Sequence, residues 1–507
     1  MSDNLLRPLD DHEIVSLPAG WTWTNLGEIR LDNSQTIVPN NAPNQVFELY
    51  SVPAFERGRP DIVAGKEIGS NKQTIEKDTV ILCKINPRIN RVWIVGDFSP
   101  HPKIASTEWI PFFKVEIEPR YLCYYMQNSA FRDFLALRAS GVGGSLMRIK
   151  STTFSTYPFP LAPLYEQHRI VAKVEELFTK LDAGVKSLTT VKAQLKRYHQ
   201  SVLKSAFEGK LTEGWRRTHR DVLEPASKLL KRIREERRKG TAGEYKEPPP
   251  LDTSNLPELP EGWTYGKLED WIYIAGRIGW RGLKAEEYTR EGPLLLSVYN
   301  LSHGKVVDLS HSYHISEERY DESPEIQLMN DDILLVKDGA GIGRVGIVQG
   351  LNAKATVNSS LLVVRSGEVL KPRFLFYLLQ GPKMQEIVKK RITGSATPHL
   401  FQRDIKKFEL LIPPPAEQQA IVKEIESRLS VMDQTERVVS LSIEQEKRLR
   451  QSILRRAFEG NLTLQDPSDE PAAVLLERIK LLKALPIQDR MTRNRRKRKD
   501  PKQRRLM

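Results

Sequence analysis

Apolar positions follow two different periods along this chain. Short runs at Thr79–Ile85, Arg91–Val95 and Trp109–Val115 lack helical spacing and predict strands. Arg120–Leu137 carries apolar residues three and four apart and predicts one helix. A second set predicts strands near Ile333–Lys337 and Arg344–Val348 and a helix near Arg373–Arg391. A longer period runs from about Glu166 to Phe207. There Val174, Leu177, Leu181, Leu188, Val191, Leu195, Tyr198 and Val202 occupy alternating a and d positions, and only Gly184 and Ser205 interrupt the seam. Ile421, Ile425, Met432, Val439, Leu449 and Ile453 keep the same register more loosely. Two long amphipathic helices in one chain are expected to pack on each other. Between the two sets, residues 240–262 hold Gly240, Gly243, Pro248, Pro249, Pro250, Pro257 and Pro260, which predicts an extended linker. Glu224-Pro225 and Glu470-Pro471 place Pro at a first helical position and predict short helices after the long ones.

These two sets are copies. LPAGWTWTNL at 17–26 returns as LPEGWTYGKL at 259–268. DTVILCKINPRINRVWIV (78–95) aligns without gaps on DDILLVKDGAGIGRVGIV (331–348), and PRYLCYYMQ (119–127) on PRFLFYLLQ (372–380). From Pro158 to Thr212, 19 of 55 aligned pairs are identical to 409–463, and EPASKLLKRI (224–233) answers EPAAVLLERI (470–479). The order is the same in both halves, so one large unit has been duplicated in tandem.

The length of 507 residues suits several folded units, and 39% hydrophobic with 28% charged residues supplies cores with solvated surfaces. No run approaches the ~18 apolar residues of a membrane span, and the N-terminus lacks a secretion-signal pattern. Cys83 and Cys123 have no metal-type spacing, so neither zinc nor a disulfide framework is indicated, and a cytoplasmic location is expected. The net charge of +14 is concentrated: residues 489–507 contribute +8 and residues 228–239 contribute +5. The tail reads as disordered, and bulk charge is weak support for nucleic-acid binding.

Several chemistries can be set aside. Asp338-Gly-Ala-Gly341-Ile-Gly343-Arg-Val-Gly346 fits G-x-G-x-x-G and resembles an S-adenosylmethionine loop, but such loops need a helix to follow. The residues after Gly343 are strand-like, and the twin loop at 85–90 has no glycine. A strand–turn–strand hairpin accounts for both copies. Asn86-Pro87-Arg88-Ile89 lacks the second proline and aromatic of an amine-methylation loop. No phosphate-binding G-x-x-x-x-G-K-[ST] string or H-E-x-x-H spacing is present; His311 and His314 sit three apart in a strand-like stretch. Catalysis by this chain alone, a cofactor of its own and a bound metal are therefore not expected.

Polar residues do recur at matched loop positions. Lys84 and Lys337 precede the hairpin loop, and Arg91 and Arg344 follow it. Between them stand Asn86, Arg88 and Asn90 in one copy and glycines in the other. Ser140 and Lys150 in the first copy answer Thr393 and Arg403 in the second, and Arg148, Ser395 and His399 are further candidates in the same segments. Any one of these reads as an ordinary solvated turn residue; the two sets together read as contacts to a polyanion, with Asn and Arg able to reach base edges.

The strings YEQHRIV (165–171) and AEQQAIV (416–422), the endings AFEGKLT (206–212) and AFEGNLT (457–463), and the L-P-x-G-W openings at Leu17 and Leu259 resemble the specificity subunits of type I restriction–modification enzymes. The resemblance covers nearly the whole chain in order, apart from the basic extension after about Asp489. It implies an α+β fold, with two pseudo-repeated mixed α/β target-recognition domains separated by two long antiparallel coiled-coil helices. Expected boundaries are 1–157 for the first recognition domain, 158–250 for its long helix, short helix and linker, 251–408 for the second recognition domain, 409–488 for the second pair of helices, and 489–507 for the tail. The resemblance further implies a non-catalytic subunit that reads an asymmetric bipartite sequence in double-stranded DNA. It would carry two modification subunits, which hold S-adenosylmethionine, and restriction subunits, which use ATP and Mg, in a prokaryotic cytoplasm without membrane contact. A helix from Glu166 to Phe207, ~63 Å long, would then act as a ruler between half-sites. A self-sufficient DNA methyltransferase and a DNA-binding repressor or scaffold without modification partners are the alternatives.

Overall fold

The computed structural model describes residues 16–141, 147–240, 258–277, 283–301, 304–339, 341–393, 399–406 and 409–485. The basic tail at 489–507 and most of the linker lie outside them. The chain divides into two compact units, residues 1–188 with 441–507, and residues 189–440. Both mix helices and sheets, and each draws on both sequence repeats.

In the first unit, Val80–Cys83 is the middle strand of three, flanked by Val92–Ile94 and Trp109–Phe112, all antiparallel. Its four residues are buried because both faces of the strand are covered. A five-stranded sheet lies alongside in the order Thr36–Ile37, Lys72–Thr74, Lys103–Ser106, Val46–Tyr50, Asp61–Ala64, with only the Val46–Tyr50 and Lys103–Ser106 pair parallel. The expected single helix at 120–137 is two, Pro119–Met126 and Ser129–Leu137. Asn128 divides them: its Oδ1 accepts from Phe131 N at 2.8 Å, a side-chain cap that starts the second helix.

The second unit repeats this plan with a four-stranded sheet ordered Ile272–Gly276, Leu361–Ser366, Ile333–Val336, Val345–Ile347. A three-stranded sheet places Thr289–Leu296 antiparallel to Tyr313–His314 and parallel to Ala355–Val357. Here too the expected single helix is broken, into Pro372–Gln380 and Pro382–Thr393, because Pro382 cannot continue the ladder. The glycine-rich segment is a hairpin turn: Ile333–Val336 pairs antiparallel with Val345–Ile347, and no helix follows the glycines. Gly343 has φ +83°, and a Cβ there would lie 2.7 Å from Val388 Cγ2, so the turn needs glycine for backbone and packing alike.

Each long helix has 44 residues, Leu164–Phe207 and Pro415–Phe458. Within the first unit they run antiparallel: Arg450 pairs with Asp182 and lies 4.6 Å over the Phe178 ring, while Arg169 meets Asp469 at 2.6 Å. Within the second unit Lys192 Nζ donates to Ser440 Oγ at 3.3 Å, and Thr212 Oγ1 to Glu417 at 2.7 Å, again antiparallel. Ile421, Ile425, Met432 and Val439 are buried as the seam predicts. Tyr198 and Leu449 are corrections, since both are exposed. A lone helix pair covers only one side of each helix, and these two fall outside the covered stripe. The short helices are Ala226–Gly240 and Ala472–Ala484, with Pro471 capping the latter just outside its first turn.

The recurring motifs build the frame of both units. In the first, Trp21 Nε1 donates to Glu166 Oε2 at 2.8 Å, and Gln465 Nε2 to Glu166 Oε1 at 3.2 Å. In the second, Trp263 Nε1 donates to Glu417 Oε2 at 2.8 Å, while Thr212 Oγ1 and Arg216 Nη2 reach Glu417 Oε1 at 2.7 and 2.8 Å. The neighbouring glutamines hold the helix to its domain: Gln167 accepts from Glu118 N at 3.0 Å, and Gln418 from Lys371 N at 2.8 Å. Ala472 N donates to Gly20 O and Ala226 N to Gly262 O, both at 2.8 Å. Thus the domain of each repeat is closed by the segment that ends the other repeat. Phe458, from the second repeat, sits edge-on to Tyr121 and Tyr125 of the first, with centroids 5.0 and 4.9 Å away.

Candidate nucleic-acid interface

In the first unit, Lys84–Asn90, Ser140, Arg148 and Lys150 are brought together by the backbone. Asn86 N donates to Met147 O at 2.8 Å, Ile149 N to Lys84 O at 3.1 Å, and Ser140 and Arg148 exchange two bonds of 2.9 Å. The turn itself is strained: Asn86 (φ 48°) and Asn90 (φ 52°) are both left-handed and flank the 3-10 turn Pro87–Ile89. Asn tolerates this conformation better than most residues, which explains its place at both ends. Asn90 Nδ2 donates to Met126 O at 2.8 Å, and the Oδ1 atoms of both asparagines are buried.

Most cations of this cluster are already engaged. Lys84 Nζ donates to Thr107 O at 2.7 Å, Arg91 Nε meets Glu56 at 2.9 Å, and Arg148 Nη2 meets Glu108 at 3.1 Å. Arg91 is largely buried, with 12% of its side chain exposed, against 56% for Arg148. Arg88 and Lys150 are exposed, and their side chains make no hydrogen bond or ion pair among the described residues.

The second unit assembles the matching positions by the same backbone route. Leu400 N donates to Lys337 O at 2.9 Å, and Asp338 bridges His399, whose Nδ1 also meets the Asp338 carboxylate. His399 packs on Phe401 with ring centroids 4.4 Å apart, and Arg403 lies 4.6 Å over the other aromatic position of the pair, the Phe401 ring. Arg344 is exposed beside the hairpin turn. Thr393 ends the helix Pro382–Thr393, and Ser395 lies outside the described residues. Asp338 and Phe401 belong to this cluster although their residue types did not single them out as nucleic-acid contacts. Asp338 was visible only as the acid of the glycine-rich string; nothing in the sequence marked Phe401.

The two clusters therefore offer different chemistry on equivalent supports. The first presents an uncommitted guanidinium and ammonium; the second presents an acid–imidazole pair with a stacked arginine. Arg, Lys and exposed backbone amides suit phosphate, while Arg, Asp and His can also meet base edges. Both cysteines are free and buried, and burial pushes the Cys123 thiol up to about 12, away from nucleophilic reactivity. Among the described residues, no group of three or more His, Cys, Asp or Glu is placed to hold a metal ion, and no helix is long and apolar enough to cross a membrane.

Comparison with known proteins agrees with this frame. Residues 260–438 match the family model described as the type I restriction modification DNA specificity domain. The chain is 27% identical over 383 residues to the type I restriction enzyme EcoBI specificity subunit of Escherichia coli, covering 73% of this chain and 74% of that one. It is 24% identical over 377 residues to the EcoKI specificity subunit of Escherichia coli strain K12, covering 72% of each. A solved chain, described under complex assembly and conformational transition of the type I R-M system, superposes with a TM-score of 0.66 at 20% identity, covering 88% of this chain and 99% of that one. Over most of its length the chain is thus similar to the specificity subunits of type I restriction–modification enzymes, and residues 260–438, in its second repeat, match the model of their DNA specificity domain.

Proposed function

We propose that this chain reads a bipartite, asymmetric sequence in double-stranded DNA, one half-site through each recognition domain, for a type I restriction–modification enzyme. The observation that carries this is the pairing of a repeated frame with unlike loops. The tryptophan–glutamate joint is built twice with like distances, whereas the clusters around Arg88 and around Asp338–His399 present different side chains. Like supports with unlike readers give two different half-sites. The chain acts without catalysis of its own: it positions two modification subunits, which bind S-adenosylmethionine and methylate adenine, and joins restriction subunits, which consume ATP with Mg, in the cytoplasm. The paired long helices offer the surface on which those partners assemble. Replacing residues 1–157 with the corresponding domain of a relative tests the reading. Methylome sequencing should then show one half of the modified motif changed and the other retained. Change in both halves, or a continuous motif, would refute it.

A further inference from the structure

The turn Asn86–Asn90 is a rigid mount for a single side chain. Its two ends are fixed in the left-handed region, Pro87 fixes the first torsion of the 3-10 turn, and Ile89 N and Asn90 N close it on Asn86 O and Pro87 O at 2.9 Å each. Asn86 N and Asn90 Nδ2 tie those ends to Met147 O and Met126 O at 2.8 Å. With their Oδ1 atoms buried, the two asparagines shape the turn, and the reading falls to what stands between them. That is Arg88, exposed, next to Ile89, which is 53% exposed.

We propose that Arg88 is a specificity-determining residue that recognises a guanine in the first half-site, by a bidentate contact to O6 and N7 in the major groove. This rests on the reading that the first recognition domain reads that half-site. Three features separate Arg88 from its neighbours. Lys84, Arg91 and Arg148 each have a donor engaged within the fold, on Thr107 O, Glu56 and Glu108. Arg88 keeps its full planar fork, which matches the two acceptors of guanine, whereas Lys150 offers only a point charge. The clamped backbone beneath it lowers the ordering cost of the contact. The aligned position in the second repeat is Gly341, so the feature belongs to one half-site alone.

The experiment expresses the full chain with its modification subunits as wild type, R88A and R88K, and sequences the methylome of each. Arg88 is exposed and makes no contact that folding needs, so melting temperatures of the three should agree. The expected result is relaxation at one guanine position of the first half-site, with discrimination there falling about 5- to 150-fold in R88A and only partly restored in R88K. The second half-site should be unchanged. An unaltered motif with uniformly weaker DNA binding, and a salt slope lower by about one, would make Arg88 a phosphate contact and overturn the proposal. So would relaxation at an adenine or at no position. If exchange of residues 1–157 alters the first half-site while R88A does not, this inference fails and the modular reading stands; if neither alters it, both fail.

Discussion

Replacing Glu417 by Ala tests whether the frame is held by the joint that closes the second unit. One fully buried carboxylate accepts from Trp263 Nε1 at 2.8 Å, Thr212 Oγ1 at 2.7 Å, and Arg216 Nε and Nη2 at 3.0 and 2.8 Å. Truncation strands an indole N–H, a hydroxyl and a guanidinium together. Removing one partner of a buried ion pair costs about 3–5 kcal/mol. Arg216 retains a bond from Nη2 to Gly209 O at 2.6 Å and some exposure, which places the expectation near the lower end, about 3 kcal/mol. Glu417→Gln keeps one acceptor oxygen and should cost less, about 1–2 kcal/mol. The matched change in the first unit, Glu166→Ala, removes bonds from Trp21 and Gln465 and no direct guanidinium contact, so about 1–2 kcal/mol is expected. Urea denaturation of the full chain, with amide exchange at Ala226 and Ala472 to assign each loss to its unit, measures both. The Ala226 amide bonds to Gly262 O and the Ala472 amide to Gly20 O, so each reports on its own joint. Equal losses for Glu166→Ala and Glu417→Ala, or less than ~0.5 kcal/mol for the latter, would refute the argument that the ion pair distinguishes the two joints.

Two further outcomes are expected. Burial pushes the Glu166 carboxyl above its ordinary value of 4.5, outweighing the hydrogen bonds from Trp21 and Gln465. A carboxyl whose folded pKa is raised contributes stability that is complete below the unfolded value and lost as pH rises through the folded one. The first unit should therefore lose stability as pH rises above about 4.5, and Glu166→Gln should flatten that slope in calorimetric scans at several pH values; an unchanged slope would show that other groups set it. Lys150→Ala and Arg403→Ala remove exposed cations of the two clusters, so each should lower the salt dependence of DNA binding by about one unit in filter-binding titrations and leave the methylated motif unaltered. A changed motif would promote that residue from phosphate contact to base reader.

Period and repetition in the sequence determined the element types, the tandem copies, the long helices and the hairpin hidden in the glycine-rich string. These are local or self-referential properties: a spacing of three and four makes one apolar stripe, and two copies of one pattern need no knowledge of contacts. Even so, the breaks at Asn128 and Pro382 show that a continuous stripe does not mark where one helix ends and the next is capped. Only the tertiary structure decided which half of each repeat joins which unit. Trp21 and Glu166 lie far apart in sequence yet share one bond, and the residue that completes their joint, Gln465, comes from the other repeat. The same holds at the candidate interface. Lys84, Arg91 and Arg148 read in sequence as free cations equal to Arg88, and they differ from it because Thr107 O, Glu56 and Glu108 lie within reach. Charge is written in the residue type, but whether a charge is spent inside the fold or left for a partner depends on neighbours distant in the chain.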